Sequence, residues 1–203
     1  MKIIIIDYGM GNLNSIKRKV KLLNFEAEIS SNAKDLKNAD KIILPGVGHF
    51  AKAMENLKKL NLLDSLNHFA IVQKKPILGI CLGMQLMTKK SEEGNSEGLG
   101  WIDAEVVKFN VSKPYQYKVP HMGWNKINIQ KKSKLMNGIT NDDEFYFIHS
   151  FHIKSSQSDI LNTTNYEYEF ISAIEHENIY GVQYHPEKSH DIGLKLFKNF
   201  ITL

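Results

Sequence analysis

The segment Pro76-Ile-Leu-Gly-Ile-Cys-Leu-Gly-Met-Gln85 decides the fold, because an apolar run enters Gly-x-Cys-x-Gly and continues as a helical pattern. This is the nucleophile-elbow pattern, with Cys81 in place of serine. Gly79 and Gly83 permit the tight turn that lifts the side chain out of the sheet. A thiol at the first turn of a helix also meets the positive end of the helix dipole, which favours the thiolate. The alternative is a buried, inert cysteine, and the two glycines favour the nucleophile.

The first half of the chain alternates short apolar runs with helical patterns, which is the order of a parallel sheet covered by helices. The predicted strands are Lys2 to Ile6, Glu26 to Ile29, Lys41 to Leu44 and Ile77 to Ile80. The predicted helices run from about Asn14 to Leu23 and from about Phe50 to Val72, and another begins after Ile80.

After Gly100 the pattern changes to strand-like segments separated by polar turn residues, as hairpins require. These segments are about Ile102 to Phe109, Asn125 to Ile129, Glu144 to Ile148, Ile160 to Thr164, Tyr168 to Ile174 and Ile179 to Gln183. A final helix is predicted from about Ser189 to Ile201. We therefore expect one α/β domain over residues 1–203, a mixed, mainly parallel sheet flanked by helices, with an antiparallel extension in the second half.

A thiol nucleophile needs a base, and the base needs a group that orients it. The strand that ends near Gln183 leads into His185-Pro-Glu187, which places a histidine at a strand end with a carboxylate two residues later. Glu187 can hold the imidazole in one tautomer and stabilise its protonated form. A His-x-Glu is common by itself, so this assignment depends on the presence of Cys81.

Composition excludes several other classes of protein. The net charge of +4 is spread along the chain, so no dense basic run predicts nucleic-acid binding. No apolar stretch approaches the roughly 20 residues of a membrane helix, and the run from Ile3 to Ile6 ends at Asp7, too early for a signal peptide. We expect a cytoplasmic protein. The single cysteine excludes an internal disulfide and a multi-cysteine zinc site.

Two further patterns are weaker. The segment from Asp7 to Asn14 resembles the start of a dinucleotide fingerprint, but Asn14 replaces its third glycine. His149 and His152 form His-x-x-His, but on one extended strand they would point to opposite faces. We therefore expect neither a bound cofactor nor a metal ion.

These motifs together resemble the class I, triad-type glutamine amidotransferases, and within that family the glutaminase subunits of imidazole glycerol phosphate synthase. The resemblance covers the whole chain. It rests on Asp7-Tyr-Gly-Met-Gly-Asn12, Pro45-Gly-Val-Gly-His-Phe50, Gly79-Ile-Cys-Leu-Gly-Met-Gln85, Pro120-His-Met-Gly-Trp-Asn125, Tyr146-Phe-Ile-His-Ser-Phe151 and His185-Pro-Glu-Lys-Ser189. The segment Pro120 to Asn125 carries the narrower resemblance.

The resemblance implies a flavodoxin-like fold and a triad of Cys81, His185 and Glu187 that releases ammonia from L-glutamine. It places an oxyanion hole at Leu82 and at Val47 and Gly48, where the flexible glycines suggest that the hole is completed only when a partner binds. The glutamine site implied by the family is Gly46, Gln85, His149, Ser150 and Phe151.

The resemblance also implies a heterodimer with a cyclase subunit, which would use the ammonia to form imidazole glycerol phosphate and AICAR in histidine biosynthesis. The partner interface implied by the family is Asn12, His121, Met122, Trp124 and Lys188. For Trp124, an ordinary core position is the alternative.

Three other functions remain open at this point. A paralogous glutaminase could feed another synthase, such as a surface-sugar amidinating system. A cysteine peptidase could use the same triad on peptide amides. A non-catalytic module could keep the fold, although the complete triad argues against it.

Overall fold

The computed structural model describes residues 1–155 and 159–203. Its centre is a parallel sheet in the order β2-β1-β3-β4-β14. These strands are β1 (Ile3–Ile6), β2 (Ala27–Ser30), β3 (Lys41–Leu44), β4 (Ile77–Ile80) and β14 (Ile179–Val182). All but β2 are buried at every residue, as expected for parallel strands covered on both faces.

Helices cover this sheet, and they follow the apolar spacing of the sequence. They are α1 (Leu13–Leu22), α2 (Ala33–Lys37), α3 (Phe50–Lys59), α4 (Leu63–Asn67), α5 (Leu82–Leu86) and α6 (His190–Ile201). The prediction of one helix from Phe50 to Val72 is wrong, because the chain breaks between α3 and α4 at Asn61, where φ is +53°. A π-helical turn, His68–Val72, then continues α4. Helix α2 was not predicted.

The antiparallel extension predicted for the second half is confirmed. Its strands are β5 (Thr88–Ser91), β6 (Ser96–Glu97), β7 (Ile102–Lys108), β9 (Asn128–Ile129), β11 (Phe151–Lys154), β12 (Ile160–Tyr166) and β13 (Tyr168–His176). They pair antiparallel with their neighbours, except that β5 and β7 are parallel to each other. The order β14-β13-β11-β7-β5-β6 joins it to the central sheet. Strands β8 (His121–Lys126) and β10 (Glu144–His149) form a separate antiparallel ribbon.

Two predicted strands differ from the structure. The strand predicted from Asn125 to Ile129 begins earlier, at His121, and is interrupted at Ile127, whose side chain is buried. The chain after Glu144 forms two strands, not one, because it turns at Ser150 and pairs β11 with β7. Strands β5 and β6 were not predicted either, since their lysine and glutamate residues give no apolar alternation.

The topology brings distant segments to one edge of the sheet. Strands β4 and β14 are parallel neighbours, with Ile80 opposite Val182. Ligand sites of open α/β sheets lie beyond the carboxyl ends of such strands, and both Cys81 and the His185 segment follow those ends. Among the described residues, no helix is long and apolar enough to cross a membrane.

Candidate active site

Cys81 lies at a sharp strand-to-helix turn, and the predicted elbow is confirmed. Its backbone has φ +54° and ψ −112°, a region that side chains rarely adopt, and it is the residue before α5. The Cys81 N–H donates to the Val182 carbonyl at 2.7 Å. A Cβ at Gly83 would lie 1.8 Å from the Leu44 carbonyl oxygen, and one at Gly79 would lie 2.7 Å from the Gly83 oxygen. The two glycines are therefore required by close backbone packing.

His185 and Glu187 form a buried pair directly after β14. The His185 Nδ1–H donates to Glu187 Oε1 at 2.8 Å, and both side chains are almost wholly shielded from solvent. The backbone holds the histidine in place, because its N–H donates to the Tyr146 carbonyl and its carbonyl accepts from the Ser189 hydroxyl. With Nδ1 protonated, Nε2 carries the lone pair that can accept a proton.

The electrostatics of this pair involve Cys81. Burial opposes charging of His185, but the Cys81 thiolate and then the Glu187 carboxylate outweigh it and raise the pKa of His185 well above its usual 6.5. His185 Nε2 is buried and makes no hydrogen bond within the described residues. It is therefore available for a proton from the thiol.

A cavity of about 240 Å³ opens at Cys81. This is smaller than the roughly 300–1,000 Å³ of drug-sized ligand sites, and it suits a small metabolite. The predicted site residues that line it are Val47, Gly48, Cys81, Leu82, Gln85, His149, Ser150 and Phe151.

Gly46, in contrast, lies beneath the cavity wall. A Cβ there would lie 2.8 Å from the Leu82 Cβ and 2.9 Å from the Gly83 nitrogen. Its role is thus close packing of the loop against α5. The Tyr8 hydroxyl donates to the Pro45 carbonyl at 2.6 Å and ties this loop to the chain after β1.

Glu93 also lines the cavity and was missed by the sequence analysis. Its Oε2 accepts from the Phe50 N–H at the start of α3, which fixes the carboxylate at the cavity wall. Glu93 lies in a charged turn between β5 and β6 with no recognisable motif, so the sequence carried no signal for it.

A family model described as Glutamine amidotransferase class-I matches residues 4–203. The chain belongs to this family. It is 50% identical over 200 residues to imidazole glycerol phosphate synthase subunit HisH 2 of Methanococcus maripaludis, covering 98% of each chain. It is 47% identical over 205 residues to subunit HisH 1 of Campylobacter jejuni strain RM1221, covering 99% of this chain and 100% of that one. A crystal structure of a glutamine amidotransferase aligns with TM-score 0.77 at 14% identity, covering 98% and 97% of the two chains, and supports the fold alone.

Four of the five predicted interface residues of this amidotransferase are exposed. Met122 is 58% and Trp124 43% exposed, which excludes a core position for the tryptophan. Trp124 stacks on the His190 ring at 5.1 Å, and Lys188 Nζ lies 5.5 Å from the centre of the Tyr146 ring. Strand register places Tyr146 opposite Trp124. Asn12 is exposed just before α1.

The expectation that His121 contacts a partner is wrong. Its side chain is 3% exposed, because β8 alternates its residues between two faces and His121 points inward. The ring stacks on Phe147, and its Nδ1 lies 3.0 Å from His149 Nε2.

His149 and His152 do not point to opposite faces as predicted, because the chain turns between them and puts them on different strands. Both rings contact Phe109, at centroid distances of 5.2 and 4.7 Å. The His149 Nδ1–H donates to the Phe151 carbonyl at 2.8 Å, so its Nε2 accepts from His121. Burial lowers the pKa of both His121 and His149. Within the described residues, no group of three or more His, Cys, Asp or Glu side chains could hold a metal ion.

Proposed function

We propose that this chain is the glutaminase subunit of an imidazole glycerol phosphate synthase. It hydrolyses L-glutamine to L-glutamate and ammonia, and a cyclase subunit uses the ammonia to form imidazole glycerol phosphate and AICAR in histidine biosynthesis. The observation that carries the reaction is the electrostatic coupling of Cys81, which lines a cavity of metabolite size, to the buried His185–Glu187 pair. The acceptor is inferred from relatives named as HisH subunits along their whole length. Residues 1–203 act as one domain.

The proposed reaction begins with transfer of the Cys81 proton to His185 Nε2. The thiolate attacks the side-chain amide carbon of glutamine, and the imidazolium returns the proton to the leaving nitrogen, so ammonia departs and a glutamyl thioester remains. His185 then removes a proton from water, which attacks the thioester and releases glutamate and the free thiol. Glu187 keeps Nδ1 protonated and stabilises the imidazolium in both halves.

Both tetrahedral intermediates carry an oxyanion that needs fixed donors. Leu82 begins α5, where N–H groups lack intrahelical partners. The second donor is assigned to the loop at Val47 and Gly48, which lines the same cavity. Val47 is 50% exposed and Gly48 has φ +124°, so this peptide can reorient at little cost. These features support completion of the oxyanion hole on partner binding.

The amino-acid end of glutamine carries one ammonium and one carboxylate. The Glu93 carboxylate is a suitable acceptor for the ammonium, since it is held at the cavity wall by the Phe50 N–H. Gln85 and His149 shape the wall around the substrate.

The cyclase would dock on the exposed patch formed by Met122, Trp124 and Lys188, with Asn12 as a further contact. Aromatic and long apolar side chains are the usual anchors of such interfaces. The ring of Tyr146 lies between Trp124 and Lys188 at 6.0 and 5.5 Å, and Tyr146 also accepts the His185 N–H through its carbonyl. Docking there would therefore act close to the catalytic base.

The test is a glutaminase assay on the wild-type chain and on Cys81→Ala, each alone and with a candidate cyclase subunit and its nucleotide ligand. We expect ammonia release only from wild type, and fastest in the complex. Ammonia release by Cys81→Ala at the wild-type rate would refute the mechanism. Activity on peptides and none on glutamine would point to the peptidase, and equal rates with and without the cyclase would refute the partner-dependent oxyanion hole.

A further inference from the structure

Gln183 is a wholly buried polar residue between β14 and the catalytic histidine. Its backbone N–H donates to the Ser172 carbonyl at 2.9 Å, which anchors it to β13. Its side-chain amide bonds to two other side chains. The Nε2 group donates to Cys81 Sγ at 3.6 Å, and Oε1 accepts from Gln85 Nε2 at 2.9 Å.

The hydrogen bonds of Gln85 fix the orientation of the Gln183 amide. Gln85 Nε2 donates one hydrogen to the Phe151 carbonyl at 3.0 Å and the other to Gln183 Oε1. If the Gln183 amide were reversed, two NH2 groups would face each other, and an oxygen would face the sulfur. The bonded arrangement leaves the Gln183 N–H aimed at Sγ.

An N–H donor matters most once the thiol has lost its proton. The Ile148 carbonyl lies 3.9 Å from Cys81 Sγ, and a carbonyl can only accept a hydrogen bond. The thiolate therefore gains nothing from that oxygen, whereas a charge-assisted bond from Gln183 becomes stronger as the sulfur becomes negative.

We propose that Gln183 is a further catalytic residue, which stabilises and aims the Cys81 thiolate and connects it through Gln85 to the backbone of the substrate cavity. The inference rests on the proposed function, because it assigns Gln183 to the same thiolate. Hydrogen bonds to charged groups typically change an equilibrium roughly 10- to 100-fold. The loss of this one is expected to lower both thiolate reactivity and kcat by that factor.

The first test uses Cys81 as its own probe, since it is the chain's single cysteine. Iodoacetamide reacts with thiolates, so the alkylation rate of the full chain at one fixed pH reports how much thiolate is present and how accessible it is. We expect Gln183→Met, which keeps the length but has no donor, to react about 10-fold more slowly than wild type, and its kcat in the complex to fall in proportion. The KM for glutamine should change less than kcat.

Two further variants separate this role from a structural one. Gln183→Glu keeps an acceptor for Gln85 and puts a carboxylate oxygen against the sulfur, so it should slow alkylation at least as much as Gln183→Met. Gln130→Met is the matched control, because the Gln130 amide bonds to Asn128 and Thr163 on the neighbouring strands. It should react like wild type.

Alkylation and kcat within twofold of wild type in a folded Gln183→Met variant would overturn the inference. If that variant unfolds, the same measurement on Gln183→Glu decides. The result is separable from the proposed function: if Cys81→Ala abolishes ammonia release while the Gln183 variants react normally, only the role of Gln183 fails. If Cys81→Ala stays active, the proposed function fails first.

Discussion

Replacing Glu187 by Gln should remove a charge from the active site with little change of shape. Glu187 Oε1 lies 2.8 Å from His185 Nδ1, and the pair is almost fully buried. Glu187 Oε2 makes no hydrogen bond within the described residues. The amide nitrogen of glutamine can therefore take that place, while its oxygen still accepts from Nδ1 and preserves the tautomer.

The expected cost follows from the distance. An imidazolium and a carboxylate with charge centres roughly 3–4 Å apart attract by about 4–6 kcal/mol at an effective dielectric constant of about 20. The remaining hydrogen bond and the thiolate offset part of this loss. Since each 1.36 kcal/mol is tenfold in rate, we expect kcat to fall roughly 10²–10⁴-fold with KM nearly unchanged. Removing the carboxylate also lowers the pKa of His185, so the alkaline limb of the pH–activity profile should move to lower pH.

The assay is steady-state ammonia release by the complex across a pH series, with circular dichroism as a check of folding. Asp159→Asn is the matched control, because Asp159 Oδ1 pairs at 3.0 Å with Nδ1 of His176, whose side chain is 46% exposed. It should leave kcat unchanged. A folded Glu187→Gln variant within threefold of the wild-type kcat would refute the assignment of Glu187 as the orienting carboxylate.

Three further predictions concern packing and pH. Gly193→Ala places a Cβ 1.9 Å from the Pro186 carbonyl oxygen, so the turn after His-Pro must move by about 1 Å and kcat should fall roughly 100-fold, which steady-state kinetics and a melting curve would test. Gly46→Ala pushes against Leu82 and should lower kcat about 10²–10³-fold through a displaced oxyanion hole; a change in KM alone would contradict this. Burial lowers the pKa of His121 from 6.5 to about 4. Between these two pH values the unfolded state binds more protons than the folded state, so the free energy of unfolding decreases as the pH falls from 6.5 to about 4, by at most about 3 kcal/mol. Urea unfolding at pH 7.5 and 4.5 should show a smaller loss for His121→Phe, and equal losses would count against the prediction.

The sequence predicted the features that depend on neighbouring residues. Gly79, Cys81 and Gly83 are neighbours in the sequence, so their spacing predicts the turn without knowledge of the rest of the fold, although the close contact of Gly83 is with Leu44 on β3. The buried parallel strands were equally readable, because runs such as Ile3 to Ile6 are apolar at every position. Their neighbours could not be derived from local pattern: β14 inserts beside β4 after a long antiparallel excursion.

For the same reason, the sequence did not predict the residues that only the tertiary fold brings to the site. Glu93 is brought to the cavity by a bond to the start of α3, and Gln183 reaches Cys81 because β14 is the neighbour of β4. Neither has a pattern of charge or spacing around it. The recognisable functional motif in this segment is His185-Pro-Glu187, and Gln183 lies outside that motif.

The side chains of the segment Pro120 to Asn125 face two different surfaces. The sequence predicts a strand that begins only at Asn125, so it gives no reason to divide His121, Met122 and Trp124 between two faces. The strand in fact begins at His121, so its side chains alternate. Met122 and Trp124 face outward, whereas His121 bonds to His149, which lines the cavity and donates to the Phe151 carbonyl. The same strand carries the exposed Trp124 and the buried His121. A shift of this strand on docking would therefore change the contact between His121 and His149 at the substrate cavity.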